Sequence, residues 1–533
     1  MSYTPLPRDS KNPIRGRVID ENSSASVTRE GIVDYALEDV LPDSEEAWYL
    51  KPQLRRLNFF SLFALLSSAS SGFDGSMLNG LQSIPSWSLY FDGLSGWRLG
   101  ILTCSSALGG ICGSLPGHYL ADTYGRRVPT ALGALIVILG TLIQASSRTY
   151  EAFFCGRFIM GAGAVLTSIV SPLYISELAY PTHRTILTSI YSNTWYVGSV
   201  LAALITLFCY QTGESSNWSW RGPSLLQCFF PILQLSLYRF VPESPRYLIS
   251  KGRSQEARDI LVKFHAEGDL NSILVEFEMA QITIAIENES SASNTSWLEF
   301  FATRANKHRL FVISFLACMQ QLSGNALISY YLVLILGSIG YTSAVEQLWI
   351  NVSLNVYNLG VCAFVLYCVH RFRRRIMFLT CTTGMFFVFV TWTVLSAKFQ
   401  QGNYESTLLS KAILTMVFLF FMCYDLGLNG LPYLYYTEVL PFFLRSKGLQ
   451  IVQCWQQVIS VFNGLINPVA MDALHWRYYI VYCCIIGVEI VVVYLFFPET
   501  RGFTLEQAAD VFGDGVRRGG AGGDVDNAIG DGV

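Results

Sequence analysis

Apolar residues fall in long runs along this chain, longer than a strand or a short core helix needs. Six lie near 57–81, 97–119, 128–147, 152–173, 186–210 and 224–241, and six more near 308–337, 346–369, 376–397, 407–433, 449–470 and 476–497. Each is close to the ~20 residues with which a helix crosses a bilayer. No water satisfies open backbone groups there, so helices are the expected form. The pattern predicts an all-α membrane protein with twelve transmembrane helices in two six-helix bundles, over 51–244 and 308–499. The polar stretch 245–307 holds Arg246, Lys251, Arg253, Arg258 and Lys263, with an amphipathic period around Glu256–Phe264. It reads as a cytosolic linker of short surface helices. Residues 1–50 and 500–533 read as disordered cytosolic tails.

Composition agrees with this division. Of the 533 residues 52% are hydrophobic and only 14% charged, against about 25% charged in soluble domains. A net charge of −3 gives no reason to expect nucleic acid. The 13 cysteines stand singly in or beside apolar runs (Cys104, Cys155, Cys318, Cys423) or as the neighbours Cys483 and Cys484. They read as small hydrophobes, with no metal spacing and no disulfide framework. No cleavable signal peptide is visible, so the first span is expected to act as an uncleaved anchor.

Basic residues orient the chain. Lys51, Arg55 and Arg56 precede the first span; Arg126-Arg127, Arg184, Arg371, Arg373-Arg374-Arg375, Arg445 and Lys447 fall in loops on the same side. Both termini are therefore expected in the cytosol. Of the glycosylation sequons, at Asn22, Asn217, Asn288, Asn294 and Asn351, only Asn217 falls in an external loop.

The two halves echo each other. Glu177 precedes Arg184 by seven residues with Pro181 between; Glu438 precedes Arg445 by seven with Pro441 between. Pro242-Glu243-Ser244 closes the first six spans and Pro498-Glu499-Thr500 the second six. A duplicated six-span unit has the same orientation twice, which gives a pseudo-two-fold along the membrane normal and a binding site between the halves.

Between spans two and three runs Gly117-His118-Tyr119-Leu120-Ala121-Asp122-Thr123-Tyr124-Gly125-Arg126-Arg127. Gly125 permits a tight turn, and the charges can pair with helix ends. With the twelve-span repeat, this stretch resembles the signature loop of the major facilitator superfamily. Four further stretches resemble the sugar porter family within it: Pro172–Glu177, Pro242–Leu248, Gln320–Asn325 with Tyr330-Tyr331, and Pro498–Gly502. Gly324-Asn325 and Asn467–Asp472 look most like the fungal lactose-permease and hexose-transporter branch. The resemblance covers about residues 50–510. It implies a charge network that ties the halves together on the cytosolic side, formed by Asp122, Arg126, Arg127, Glu177, Arg184, Glu243, Arg246, Glu438 and Arg445. The second-half loop, His370–Arg375, lacks the acidic residue and the glycine, so an asymmetric network is expected.

A sugar offers hydroxyls and C–H faces, so its site needs amides and aromatic rings. Gln320, Gln321 and Asn325 on span seven supply the amides, with Gln321 and Asn325 on one helical face. Tyr330 and Tyr331 follow. The resemblance adds Asn358 on span eight and Gln456 on span eleven. It also marks three departures. Asn325 comes one place earlier than in the widest pattern, Ser192 with Asn193 stands where a glutamine is usual, and Tyr433 stands where a tryptophan is usual. The sugar's identity therefore stays open among hexose, pentose, disaccharide and a related polyol or acid.

Asp74 lies at the end of the first apolar run, where a carboxylate costs about 2.5–3.5 kcal/mol at a bilayer centre. Arg157 is the matching charge in span four. In proton-coupled sugar porters, an aspartate and an arginine at these places work as a pair. The resemblance thus implies proton coupling by Asp74 and Arg157, with protonation and helix position linked through one free energy. Three functions fit: a proton:sugar symporter by alternating access, a facilitative uniporter, or a non-transporting sugar sensor. The short tail counts against the sensor. No enzyme, metal or cofactor is expected. The expected partners are a sugar, protons and the bilayer, with function as a monomer in the plasma membrane.

Overall fold

The computed structural model describes residues 48–213, 216–293, 296–368, 372–402 and 406–500, so nearly all of both tails and His370-Arg371 lie outside it. Every element among the described residues is helical. The first six spans are Pro52–Phe60 with Leu62–Gln82, Gly96–Tyr124, Arg127–Ser146, Tyr150–Leu178, Arg184–Thr212, and Trp218–Leu226 with Phe229–Leu237. The second six are Arg304–Leu322 with Asn325–Ser338, Ala344–Cys368, Arg374–Gln401, Thr407–Val439, Phe442–Leu474 and Tyr478–Phe496. Four short helices link the halves: Pro245–Ser250, Ser254–His265, Ile273–Ser293 and Glu299–Ala302.

Nine stretches among the described residues are long and apolar enough to cross a membrane, and the last, Lys447–Phe496, holds spans eleven and twelve. Spans one and six fall short for different reasons. Span one carries Asp74 and a run of serines. Span six is cut into two nine-residue pieces at Gln227-Cys228, between Pro223 and Pro231. Span ten contains a π-helical segment, Asp425–Asn429.

The first half is packed backbone to backbone. A methyl group on Gly72 of span one would lie 1.8 Å from the Trp195 carbonyl oxygen of span five, and one on Gly109 of span two 1.8 Å from the Phe158 oxygen of span four. Small residues at such crossings let membrane helices approach closely. Between the halves, Gln82 donates to the Tyr330 carbonyl (2.7 Å), and Gly100 lies against the backbone of Gly464. These contacts are on the side of the molecule away from the linker.

On the linker side, His265 is clamped between two elements. Its Nδ1 is 2.7 Å from the Glu278 carboxylate and its Nε2 3.2 Å from the Leu178 carbonyl at the end of span four. Both partners are acceptors, so the ring bridges the linker helix Ile273–Ser293 and the end of span four. His265→Ala strips the buried Glu278 of this hydrogen-bond partner, and leaving a buried polar group unsatisfied costs about 1–3 kcal/mol. The expected result is a clearly lower melting temperature of the detergent-purified protein in a thermal scan. An unchanged melting curve would mean that the clamp contributes nothing.

Candidate functional site

Span seven breaks where the amides begin. Gly324 has φ 102°, a left-handed conformation that glycine adopts without strain. The break starts a new helix at Asn325, beside a cavity of about 260 Å³ between the halves. Four of the expected sugar residues line this cavity: Gln321, Asn325, Tyr330 and Asn358. Asn325 donates to the Tyr424 hydroxyl (3.2 Å) and accepts from Ser329 (3.0 Å). Four more asparagines line the wall, Asn79 from span one, Asn351 and Asn355 from span eight and Asn429 from span ten. Asn355 bonds Ser76 (3.2 Å) and accepts from Ser199 (2.5 Å), so it touches spans one and five at once. Asn79 Oδ1, Asn351 Nδ2 and Asn358 Oδ1 are buried with no hydrogen-bond partner among the described residues. Buried polar atoms are normally satisfied, so these three atoms have room for a ligand's hydroxyls. None of the lining residues carries a charged side chain.

The other expected sugar residues lie outside this cavity. The Gln320 side chain donates to the Leu428 carbonyl (3.2 Å) and accepts from Gln456 (2.8 Å) and Tyr436 (2.9 Å). Gln320 and Gln456 thus join spans seven, ten and eleven. Tyr331 is fully buried and donates to the Gly464 carbonyl (2.6 Å). Tyr433 is 43% exposed. Ser192 and Asn193 sit on span five, about one turn below the cavity-lining Trp195, Tyr196 and Ser199.

Asp74 and Arg157 meet in the first half. The guanidinium donates to Asp74 from Nη1 (3.0 Å) and Nη2 (3.4 Å). Gln227, at the break of span six, donates a third bond to the same carboxylate (2.9 Å). Arg157 is 2% exposed. The pair sits one residue from Gly75 and two from Ser76, which line the cavity.

On the linker side, two charge clusters mirror each other. Arg126 grips Glu177 with two bonds, 2.9 and 3.0 Å. Glu243 accepts from the backbone N–H of Arg126 (2.9 Å) at the start of span three, and Ser244 bonds Glu177 (2.5 Å). Burial is the largest influence on Arg126 and opposes its charge, but the field and bonds of Glu177 outweigh it and hold its pKa above the usual value. Burial likewise pushes the Glu243 carboxyl above the usual range, against the backbone donors that favour its charge. In the second half, Arg374 pairs with Glu438 (3.4 Å), Glu499 caps span nine at the N–H of Arg374 (2.9 Å), and Thr500 bonds Glu438 (2.5 Å). The expected asymmetry is therefore limited at this core. The ion pairs of Arg126 and Arg374 each close within one half. Asp122 lies 3.6 Å from Arg126 with an exposed side chain. Arg127 donates to the Tyr238 carbonyl (2.5 Å), and Arg184 is exposed.

The profile of the family described as "Sugar (and other) transporter" matches residues 60–512 of this chain. The chain belongs to that family of the major facilitator superfamily. It is similar to hexose transporter 2 of Kluyveromyces lactis, 28% identical over 435 residues, covering 79% of this chain and 75% of the relative. It is also similar to a low-affinity glucose transporter of Saccharomyces cerevisiae (strain JAY291), HXT4, 27% identical, covering 79% and 73%. Among solved structures, the inward-open xylose transporter XylE from E. coli shares the fold with a TM-score of 0.70 at 22% identity, covering 85% of this chain and 99% of that one.

As a member of the sugar transporter family, the chain is a multi-pass membrane protein. Sequence reasoning missed Gln227, Arg374 and the asparagines at 79, 351, 355 and 429. The asparagine spacing carried a signal: Asn351, Asn355 and Asn358 recur at i, i+4 and i+7, one face of span eight. Asn351 also heads a sequon, and its burial in the cavity wall removes it as a glycan acceptor.

Proposed function

We propose that this protein is a proton-coupled symporter for a neutral monosaccharide, working by alternating access. The observation that carries the reading is the cavity between the halves. It is walled by amides and hydroxyls, three amide atoms lack partners, and no charged side chain lines it. A sugar acid would want a cation there; a neutral polyol does not. The glucose and hexose transporters among the relatives support the same class. Asp74 with Arg157 supplies the proton-linked pair, and XylE, which shares the fold, is described as a proton:xylose symporter. In this reading both termini face the cytosol of a plasma-membrane monomer. Residues 51–244 and 308–499 are the moving bundles, and the charge clusters around Arg126 and Arg374 hold the cytosolic ends of each.

The test is sugar-evoked alkalinisation of a weakly buffered suspension of cells expressing the protein, screened over neutral sugars and one uronic acid. Proton uptake with a hexose or pentose supports the reading. Uptake of sugar with no pH change points to the uniporter, and a response to the uronic acid alone overturns the neutral class.

Gln321 gives a finer check. It lines the cavity, and no side-chain hydrogen bond to the protein is found for it among the described residues. Gln321→Ala is expected to raise the sugar KM about 2- to 12-fold, the equivalent of one neutral hydrogen bond of ~0.5–1.5 kcal/mol. An initial-rate series against sugar concentration reads this, and an unchanged KM would place the sugar elsewhere.

A further inference from the structure

A second carboxylate lies in the membrane core, outside the Asp74 pair. Asp425 is 1% exposed and begins the π-helical segment of span ten. Its Oδ1 accepts a hydrogen bond from the Tyr196 hydroxyl of span five, 2.8 Å away and in the other half of the molecule. Its Oδ2 is buried with no partner at hydrogen-bond distance among the described residues, with the Cys362 and Asn429 side chains as neighbouring polar groups. The ionisable groups that face it are Tyr196 from span five, Tyr357 and Cys362 from span eight, Cys381 from span nine and Tyr424 from its own span. None is a cation, and among the described residues no Lys, Arg or His pairs with it. Tyr196, Tyr424 and Asn429 line the sugar cavity, so Asp425 stands directly behind its wall. Trp195, next to Tyr196, packs its ring 3.2 Å from the Cβ position of Gly75, the residue after Asp74.

We propose that Asp425 is a second proton-binding site, and that its proton releases a latch between the two halves. The proposal rests on the reading of this protein as an alternating-access sugar transporter. The two spans that share the Tyr196–Asp425 bond belong to different bundles, so any rocking of one bundle on the other stretches it. An ionised carboxylate accepts a charge-assisted bond about twice as strong as a neutral acid does. The carboxylate therefore holds the latch, and the acid lets it go. When the latch opens, the buried group loses its Tyr196 donor and keeps only the neighbouring Cys362 and Asn429 side chains, and a proton offsets the cost of the less compensated charge. The balance is simple: one proton joins one carboxylate oxygen, and no other bond forms or breaks.

The experiment is D-glucose counterflow in proteoliposomes with equal pH on both sides, from about pH 5 to about pH 9. Counterflow by the unaltered protein is expected to fall about tenfold toward high pH, the size of the gap between a charge-assisted and a neutral hydrogen bond. Asp425→Asn mimics the neutral acid and is expected to lose that fall. Tyr196→Phe removes the donor and is expected to lose it too, which guards against reading a folding defect in one variant as support. A fall of unchanged size in Asp425→Asn overturns the proposal, and so does an Asp425→Asn protein inactive at every pH, because the neutral form is then not competent. Absence of counterflow by the unaltered protein with D-glucose, D-xylose and D-galactose overturns the transporter reading, and the latch with it.

Discussion

Replacing Asp74 by asparagine is expected to abolish uphill sugar accumulation while downhill exchange continues at a reduced rate. Asparagine keeps the shape and an acceptor oxygen, so the Gln227 bond to this position (2.9 Å in the parent) can persist. What it cannot do is alternate between a charge and a proton. With one proton per sugar, each unit of pH gradient supports an accumulation of about tenfold, because one pH unit is ~1.4 kcal/mol. The variant is expected to accumulate none, so the inside-to-outside ratio falls to one. Vesicle uptake with and without an imposed pH gradient measures this, and undiminished accumulation by Asp74→Asn would remove Asp74 from the coupling.

The pair also explains why the reduced rate is part of the expectation. Arg157 is 2% exposed, and Asp74 is its ion-pair partner at 3.0 Å. Leaving a buried charge without its counter-ion costs several kcal/mol. Asp74→Asn therefore also weakens the junction of spans one and four. The double change Asp74→Asn with Arg157→Gln removes both charges together and is expected to recover part of that stability without recovering coupling.

The bundle was legible in the sequence because the bilayer imposes one demand on every span, length of apolar helix. The local interruptions were not. The breaks of span one at Ser61 and of span six at Gln227-Cys228, and the π segment of span ten, cost nothing visible in an apolar run. The site was partly legible for a related reason. Gln321 and Asn325 stood out because they cluster on one helix. Asn79, Asn351 and Asn355 come from two helices of different halves, and an isolated amide in a membrane helix more often bonds a neighbouring helix. Gln320 illustrates that alternative: it carries the same side chain as Gln321, one residue away, yet its side chain bonds spans ten and eleven. About 100° of helical rotation separates the two roles. Arg374 was hidden by its loop, which lacks the glycine and acid that flag Arg126, although the carboxylates it serves, Glu438 and Glu499, were visible in the repeat.

Gly72→Ala is expected to cost both stability and transport. Its new methyl group would sit 1.8 Å from the Trp195 carbonyl oxygen, and the reciprocal glycine, Gly198, would place one 1.9 Å from the Ala69 oxygen. Both obstacles are backbone, so no side chain can rotate out of the way and the two helices must separate. Overpacking of this kind costs about 1–3 kcal/mol, occasionally more. Separation also moves the cavity wall, because span one contributes Ser76 and Asn79 and span five contributes Tyr196 and Ser199. Gly337→Ala is the control: no heavy atom lies within 4 Å of its Cβ position, and alanine favours the helix. The Gly72 variant is expected to melt several degrees below the Gly337 variant and to transport at a small fraction of its rate. Equal melting temperatures and equal uptake in the two variants would show that spans one and five tolerate separation, and that the close approach of their backbones does not set the shape of the cavity between the halves.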